Sequence, residues 1–234
     1  MRKKTHLRLV PPVARTVPDQ TWEDGEMSQP AAESDRIRPP MQVRSRKGWE
    51  NILEAGTWIL ENEGRDALTI AAVCARAGVA PTAIYRRVDG LAGLFWAIYD
   101  RGMEQVVHSY REGLSAAAEL PAGSRERVDR IVLAMADTWE SNVDFLHPIV
   151  NYSTSDDALR ARGAQESLAL VDQVAELLAG PDPVVSRDVA RMLHQECVFR
   201  SMYGDQWLSH GPESYGDFLA RLTRMAEKAL FPGG

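Results

Sequence analysis

The chain has 234 residues, of which 44% are hydrophobic, with a formal net charge of −6 and two cysteines. No uncharged apolar run approaches the ~20 residues that a membrane-spanning helix requires. Cys74 and Cys197 both fall in helical patterns, which argues against a disulfide framework. The basic start of the chain is interrupted by Pro11, Pro12 and Arg15 before a continuous apolar secretion segment can form, so no signal peptide is read and a cytoplasmic setting is expected. Lys and Arg against Asp and Glu number 7 and 6 over residues 1–43, 8 and 8 over 44–110, and 12 and 19 over 111–234, so the acid excess lies in the C-terminal part.

Residues 1–43 hold Pro11, Pro12, Pro18, Pro30, Pro39 and Pro40 among mixed charges without a helical or strand period, the signature of an extension that buries no core. Arg44, Arg46 and Lys47 follow, either a basic arm suited to a phosphate or an adjacent minor groove, or a solvated charge run. Trp49, Ile52, Leu53, Gly56, Ile59 and Leu60 keep one helical face from about 46 to 63, and Gly64 ends it.

The stretch 68–94 organises the rest. Thr69 is suited to cap a helix whose inner face is Ile70, Val73, Cys74 and Ala77. Gly78 supplies the left-handed residue at which that helix stops. Pro81 then suits the first position of a second helix, with Ile84 and Val88 inward and Thr82, Ala83, Arg86 and Arg87 outward. Two short helices joined by a tight turn make a helix-turn-helix. Its outward residues suit DNA: Arg holds guanine O6 and N7 bidentately, Thr bonds a base edge or touches a thymine methyl, Ala offers a methyl contact, and Tyr85 can bond a phosphate. A helical hairpin with two solvated arginines is the plain alternative. The balanced charge of 44–110 implies few phosphate contacts per subunit.

From Arg46 to about Tyr99 the sequence resembles the TetR (tetracycline-repressor) family of bacterial transcriptional regulators. The resemblance is carried by Ile52-Leu53-Glu54-Ala55, the Glu63-Gly64 exit, Leu68-Thr69, the Ala77-Gly78-Val79-Ala80 turn, Ile84-Tyr85-Arg86, and Leu94 in a long fourth helix. It departs from the family pattern at Val88, where Phe is usual, at Ala80, where Ser is usual, and at Leu91, where a phosphate-contacting Lys is usual. The extension before Arg44 is also longer than usual. The resemblance implies an all-α fold: an N-terminal three-helix helix-turn-helix DNA-binding domain (44–90) followed by an α-helical ligand-binding and dimerisation domain (91–234). The expected DNA-binding set is Arg44, Arg46, Lys47, Thr69, Pro81, Thr82, Ala83, Tyr85, Arg86 and Arg87.

A helix over 91–118, with Leu94, Phe95, Ile98, Gly102, Val106, Tyr110 and Leu114 on its apolar side, reads as a connector that carries movement at its far end to the hairpin. Beyond the break at Pro121 and Gly123, Ser124 caps a helix with Val128, Ile131, Val132, Met135 and Trp139 inward. A short piece through Phe145, His147, Pro148 and Tyr152 follows, then helices over about 157–179, 185–208 and 213–230. Aromatic and sulfur side chains mixed with isolated polar ones mark Trp139, Phe145, His147, Tyr152, His194, Cys197, Met202 and Tyr203 as candidate lining for a small apolar effector, against a reading as ordinary core. His147, beside helix-disturbing Pro148, is the first choice for contact. His194 and Cys197 stand three apart, but two ligands do not make a metal site, and no metal or cofactor is expected. The apolar stripes of the last two helices must be buried against something; the resemblance implies a homodimer through a four-helix bundle, with intramolecular packing as the alternative.

No Gly-rich phosphate loop, His-Glu-x-x-His, Gly-x-Ser-x-Gly or suggestive carboxylate pair is present, and nothing in the sequence asks for an enzyme. The expectation is a ligand-responsive repressor on a palindromic double-stranded DNA operator. Two other classes stay open: a helical small-molecule binding protein whose head does not read DNA, and a DNA-bound regulator without a small-molecule ligand.

Overall fold

A computed structural model describes residues 43–206 and 210–232. The extension read over 1–43 thus lies almost wholly outside the described residues. Helices α1 (Val43–Glu63), α2 (Ile70–Ala77), α3 (Pro81–Tyr85) and α4 (Gly90–Ala118) are followed by α5 (Arg125–Ser141), α6 (Val143–Ser153), α7 (Asp157–Leu178), α8 (Pro183–Tyr203) and α9 (Tyr215–Leu230). A 3-10 turn, Arg65–Ala67, joins α1 to α2. No strand occurs among the described residues.

The helix ends follow local chemistry. The Thr69 hydroxyl accepts from the Ala72 N–H at 3.1 Å, and Ser124, Asp156, Asp182 and Ser214 cap α5, α7, α8 and α9 in the same way. Each such cap stabilises its helix by about 1 kcal/mol. Gly78 adopts φ 66°, ψ 36°, and the Val79 N–H reaches the Cys74 carbonyl at 3.1 Å, turning the chain out of α2. Gly204, at φ 77°, ends α8 at Tyr203, short of the 208 expected from the sequence.

Burial is organised around two apolar cores. The first joins Ile52, Ile59 and Leu60 of α1, Val73 and Cys74 of α2 and Ile84 of α3 to the start of α4, and it draws in Phe145, Leu146 and Ile149 of α6. The second packs Leu114 and Ala117 of α4 against α5, α7, α8 and α9 through Ile131, Met135, Val174, Leu193, Cys197, Phe218 and Leu222. Helix α4 runs through both, and α7 also contributes to each, through Leu159 in the first and Val171, Val174 and Leu178 in the second. Gly93, Leu94, Phe95, Trp96, Ala97, Ile98 and Tyr99 of α4 are all buried, so the two turns over 93–99 are covered on every side.

Aromatic rings and two arginines fix that crowded segment. Phe95 meets Trp96 edge to face at 5.6 Å, and Trp96 meets Tyr99 at 5.4 Å. From α7, Arg162 pairs with Asp100 at 2.7 Å and lies 5.1 Å from the Tyr99 ring, while the Tyr99 hydroxyl donates to Glu166 at 2.6 Å. From the 3-10 turn, Arg65 lies 4.9 Å from the Phe95 ring and 5.0 Å from that of Tyr152 on α6.

At Gly102 the Phe145 ring occupies the space of a side chain: a Cβ there would stand 2.1 Å from Phe145 Cζ. Helix propensity favours Ala over Gly by ~1 kcal/mol, but overpacking costs about 1–3 kcal/mol, and the approach here is far inside contact distance. Gly102→Ala is therefore expected to lower the urea midpoint, and adding Phe145→Leu should recover part of the loss. Strictly additive losses in the double variant would overturn this account of the contact.

Candidate functional site

The turn between α2 and α3 sets which side chains of the hairpin meet solvent. Ile84 is completely buried and Val88 nearly so, fastening α3 from beneath. Pro81, Thr82, Tyr85 and Arg86 are exposed on the opposite side, and Ala83 is half-buried. Thr69 is exposed as well, with its hydroxyl engaged in the α2 cap. Arg46 and Lys47 are exposed near the start of α1; the side chain of Arg44 lies outside the described residues.

Arg87 departs from the outward placement expected for it. Helix α3 ends at Tyr85, Arg86 takes the C-cap, and the chain then turns, so the helical spacing that would keep Arg87 beside Thr82 and Ala83 is not maintained. Arg87 is only 6% exposed, with its guanidinium 5.2 Å from the Trp49 ring of α1. Burial pulls its pKa below the ordinary arginine value, without approaching deprotonation at neutral pH. The surface formed by the hairpin is therefore Pro81, Thr82, Tyr85 and Arg86 with a margin of Ala83 and Thr69. Leu91 is half-buried against the first core.

The eight residues expected to share an effector pocket fall into three places. Phe145 is buried in the first core, and Tyr152 packs on it from α6, 5.6 Å from Phe95. His147 is exposed on that helix and lines an open cleft with Tyr152. Trp139, His194 and Cys197 lie between α5 and α8, where the Trp139 and His194 rings meet at 5.6 Å and 67°. Met202 and Tyr203 lie at the end of α8, and the Tyr203 ring stacks on Phe199 at 5.9 Å.

The α5–α8 group is the most enclosed of the three. Cys197 is 1% exposed, and burial first, then neighbouring Glu196, pushes its thiol up to about 12. Burial holds the His194 pKa below the usual histidine value, and its Nδ1 is buried without a hydrogen-bond partner. The free space beside Trp139, Val143, Cys197 and Phe218 is about 10 Å³, room for no more than about one water. Arg200 closes its edge, 3.7 Å from Glu140 and donating to the Glu213 carbonyl at 3.3 Å. Among the described residues no group of three or more His, Cys, Asp or Glu side chains is placed to hold a metal ion, and no helix is long and apolar enough to cross a membrane.

No family model matches the chain, and no curated protein matches it as a relative. Solved structures do. A TetR-like transcriptional regulator from Rhodococcus sp. RHA1 superposes with a TM-score of 0.58 at 17% identity, over 84% of this chain and 100% of that one. A TetR-family transcriptional regulator from Streptomyces coelicolor, SCO4454, gives 0.57 at 19% identity, over 79% and 88%. The multidrug binding protein EbrR, solved with imidazole, gives 0.55 at 17% identity, over 77% and 94%. The chain has the all-helical fold of TetR-family transcriptional regulators.

Two consequences separate the roles of these side chains. Arg87→Ala should lower the unfolding free energy by about 1–2 kcal/mol through the lost ring contact and packing, while Arg86→Ala stays within about 0.5 kcal/mol. Equal, negligible effects in chemical denaturation would contradict the buried position of Arg87. Because His194 is held neutral in the native state, the unfolded chain takes up a proton that the folded chain resists, so stability falls as pH drops below the unfolded value of about 6.5 toward the lower folded pKa. His194→Gln should lose less melting temperature than the parent between pH 7 and pH 5; parallel losses would remove His194 from the acid response.

Proposed function

We propose that this chain is a one-component transcriptional regulator of the TetR family, acting as a repressor that binds a palindromic DNA operator as a homodimer and releases it on binding a small apolar effector. The observation that carries the reading is the surface of α3: Thr82, Tyr85 and Arg86 exposed on a helix fixed from beneath by Ile84 and by the Gly78 turn. Arg86 and Thr82 have the donors and acceptors to read base edges, with Ala83 and Pro81 as apolar contacts. Tyr85, Thr69, Arg46, Lys47 and Arg44 are assigned to phosphates. Arg87 supports Arg86 by holding the end of α3 against α1.

Two copies are needed to place two such helices on successive major grooves. Val189, Leu193, Phe218 and Leu222 are already spent within the second core, but Phe199, Tyr203 and Met225 remain 47%, 51% and 39% exposed on α8 and α9, and we assign them to the contact with the second copy. The effector is assigned to the α5–α8 interior, where Trp139, His194 and Cys197 combine apolar walls with an unpartnered ring nitrogen; the space there is closed, so binding requires α8 to move from α5. The likeness to a multidrug binding protein supports a small-molecule effector. The setting is cytoplasmic, and no catalysis or cofactor is involved.

A second reading, a helical small-molecule binding protein whose head does not read DNA, is favoured by one observation: with Arg87 buried and Leu91 packed inward, the head offers few cations to a duplex. Selection of binding sites from a random DNA pool by the full-length protein at near-physiological salt separates the two. Enrichment of a palindrome with half-sites about one helical turn apart is expected, and Arg86→Ala should then cost ~1–3 kcal/mol with relaxed preference at one base pair. No enrichment by a folded, dimeric protein would show that the head is not a reader and turn the assignment to the second reading, and a loss uniform across sequences would make Arg86 a phosphate contact.

A further inference from the structure

The end of α1, the 3-10 turn and the second half of α6 enclose an open cleft of about 580 Å³, within the range of small-molecule sites. Its sign is acidic. Glu61, Glu63 and Asp66 line it, and among the described residues none of them is in an ion pair. Burial, and then Asp144 nearby, raise the Glu61 carboxyl above its ordinary value, as expected of a carboxylate that lacks a counter-charge. The basic groups along the cleft are Arg65 and His147.

Arg65 shows what this wall accepts. Its guanidinium lies against Tyr152 and Phe95 at 5.0 and 4.9 Å instead of on the neighbouring carboxylates, and its Nε meets no acceptor. A planar cation is therefore already seated on the aromatic pair at one side of the cleft, while the acids beside it remain unneutralised.

We propose that this cleft binds a planar organic cation, with Glu61 as its counter-charge and Tyr152 as the ring it lies against. An aromatic face and a carboxylate together are the chemistry that recognises amidinium, guanidinium and quaternary ammonium groups. A bare metal ion fits poorly, because no group of three or more ligating side chains converges among the described residues. An anion is repelled by the acidic walls. The occupant touches both the 3-10 turn of the hairpin domain and α6, so it competes with Arg65 for Tyr152; on the regulator reading, that competition loosens the hairpin from α6.

Calorimetric titration of the full-length protein with benzamidine, its neutral isostere benzamide and the anion benzoate tests the site without DNA. Benzamidine is expected to bind about tenfold or more tightly than benzamide, and benzoate not to bind. Glu61→Gln should weaken benzamidine about tenfold and leave benzamide unchanged, Asp144→Asn should weaken it by about two- to fivefold, and Glu176→Gln, on the exposed side of α7, should change nothing. Benzamidine binding should also fall on acidification, at a pH above that of an ordinary carboxylate. Failure of benzamidine to bind, equal binding of benzamide, or an unaltered affinity in folded Glu61→Gln or Asp144→Asn would overturn the proposal. A chain that selects no operator can still pass this test, and one that selects an operator can fail it.

Discussion

Seven successive residues of α4, Gly93 to Tyr99, are buried, and this is the constraint around which the other helices are placed. An ordinary surface helix needs cover along one stripe. A helix buried all round needs neighbours on every side, and here α1 and α3 supply them from the hairpin side while α6 and α7 supply them from the body. Two of the polar side chains caught in the same place, Tyr99 and Arg162, are provided for. The Tyr99 hydroxyl, which would be costly to bury alone, donates to Glu166, and Arg162 is held by both Asp100 and Glu166.

Because the first core includes Phe145, Leu146 and Ile149, the helix-turn-helix does not end its packing where its sequence pattern ends. The body reaches into it through α6. The sequence pattern places the lever at the far end of α4, but its beginning is held as well, where Arg65 and Arg162 grip the aromatic run from opposite neighbours. Side chains of α6 and α7 thus pack on the segment of α4 that directly follows the hairpin.

What could be read from the sequence was the chemistry that acts within a few residues. Thr69, Gly78, Pro81 and Ser124 mark helix ends because a cap, a left-handed residue or a missing N–H acts on its immediate neighbours. Arg87 could not be placed in this way. Its position depends on α3 stopping at Tyr85 and on Trp49, 38 positions earlier, lying over it. The effector residues scattered for a related reason. Aromatic and sulfur side chains close together in sequence gave no indication of which core each helix faces, so Phe145 joined the hairpin while Cys197 joined the body. The acidic cleft was invisible because Glu61 and Tyr152 come to line one cleft only once α6 is laid beside α1.

The two cysteines, each buried and unpaired, fall one in each core: Cys74 beneath α2 in the first and Cys197 beneath α8 in the second. The chain thereby carries a native chemical clock for each half. A thiol reagent reaches either sulfur only when its surroundings open, so the two labelling rates measured in one experiment report how often each half breathes. Whether the rates coincide or separate tells whether the shared helices make the two cores a single cooperative unit.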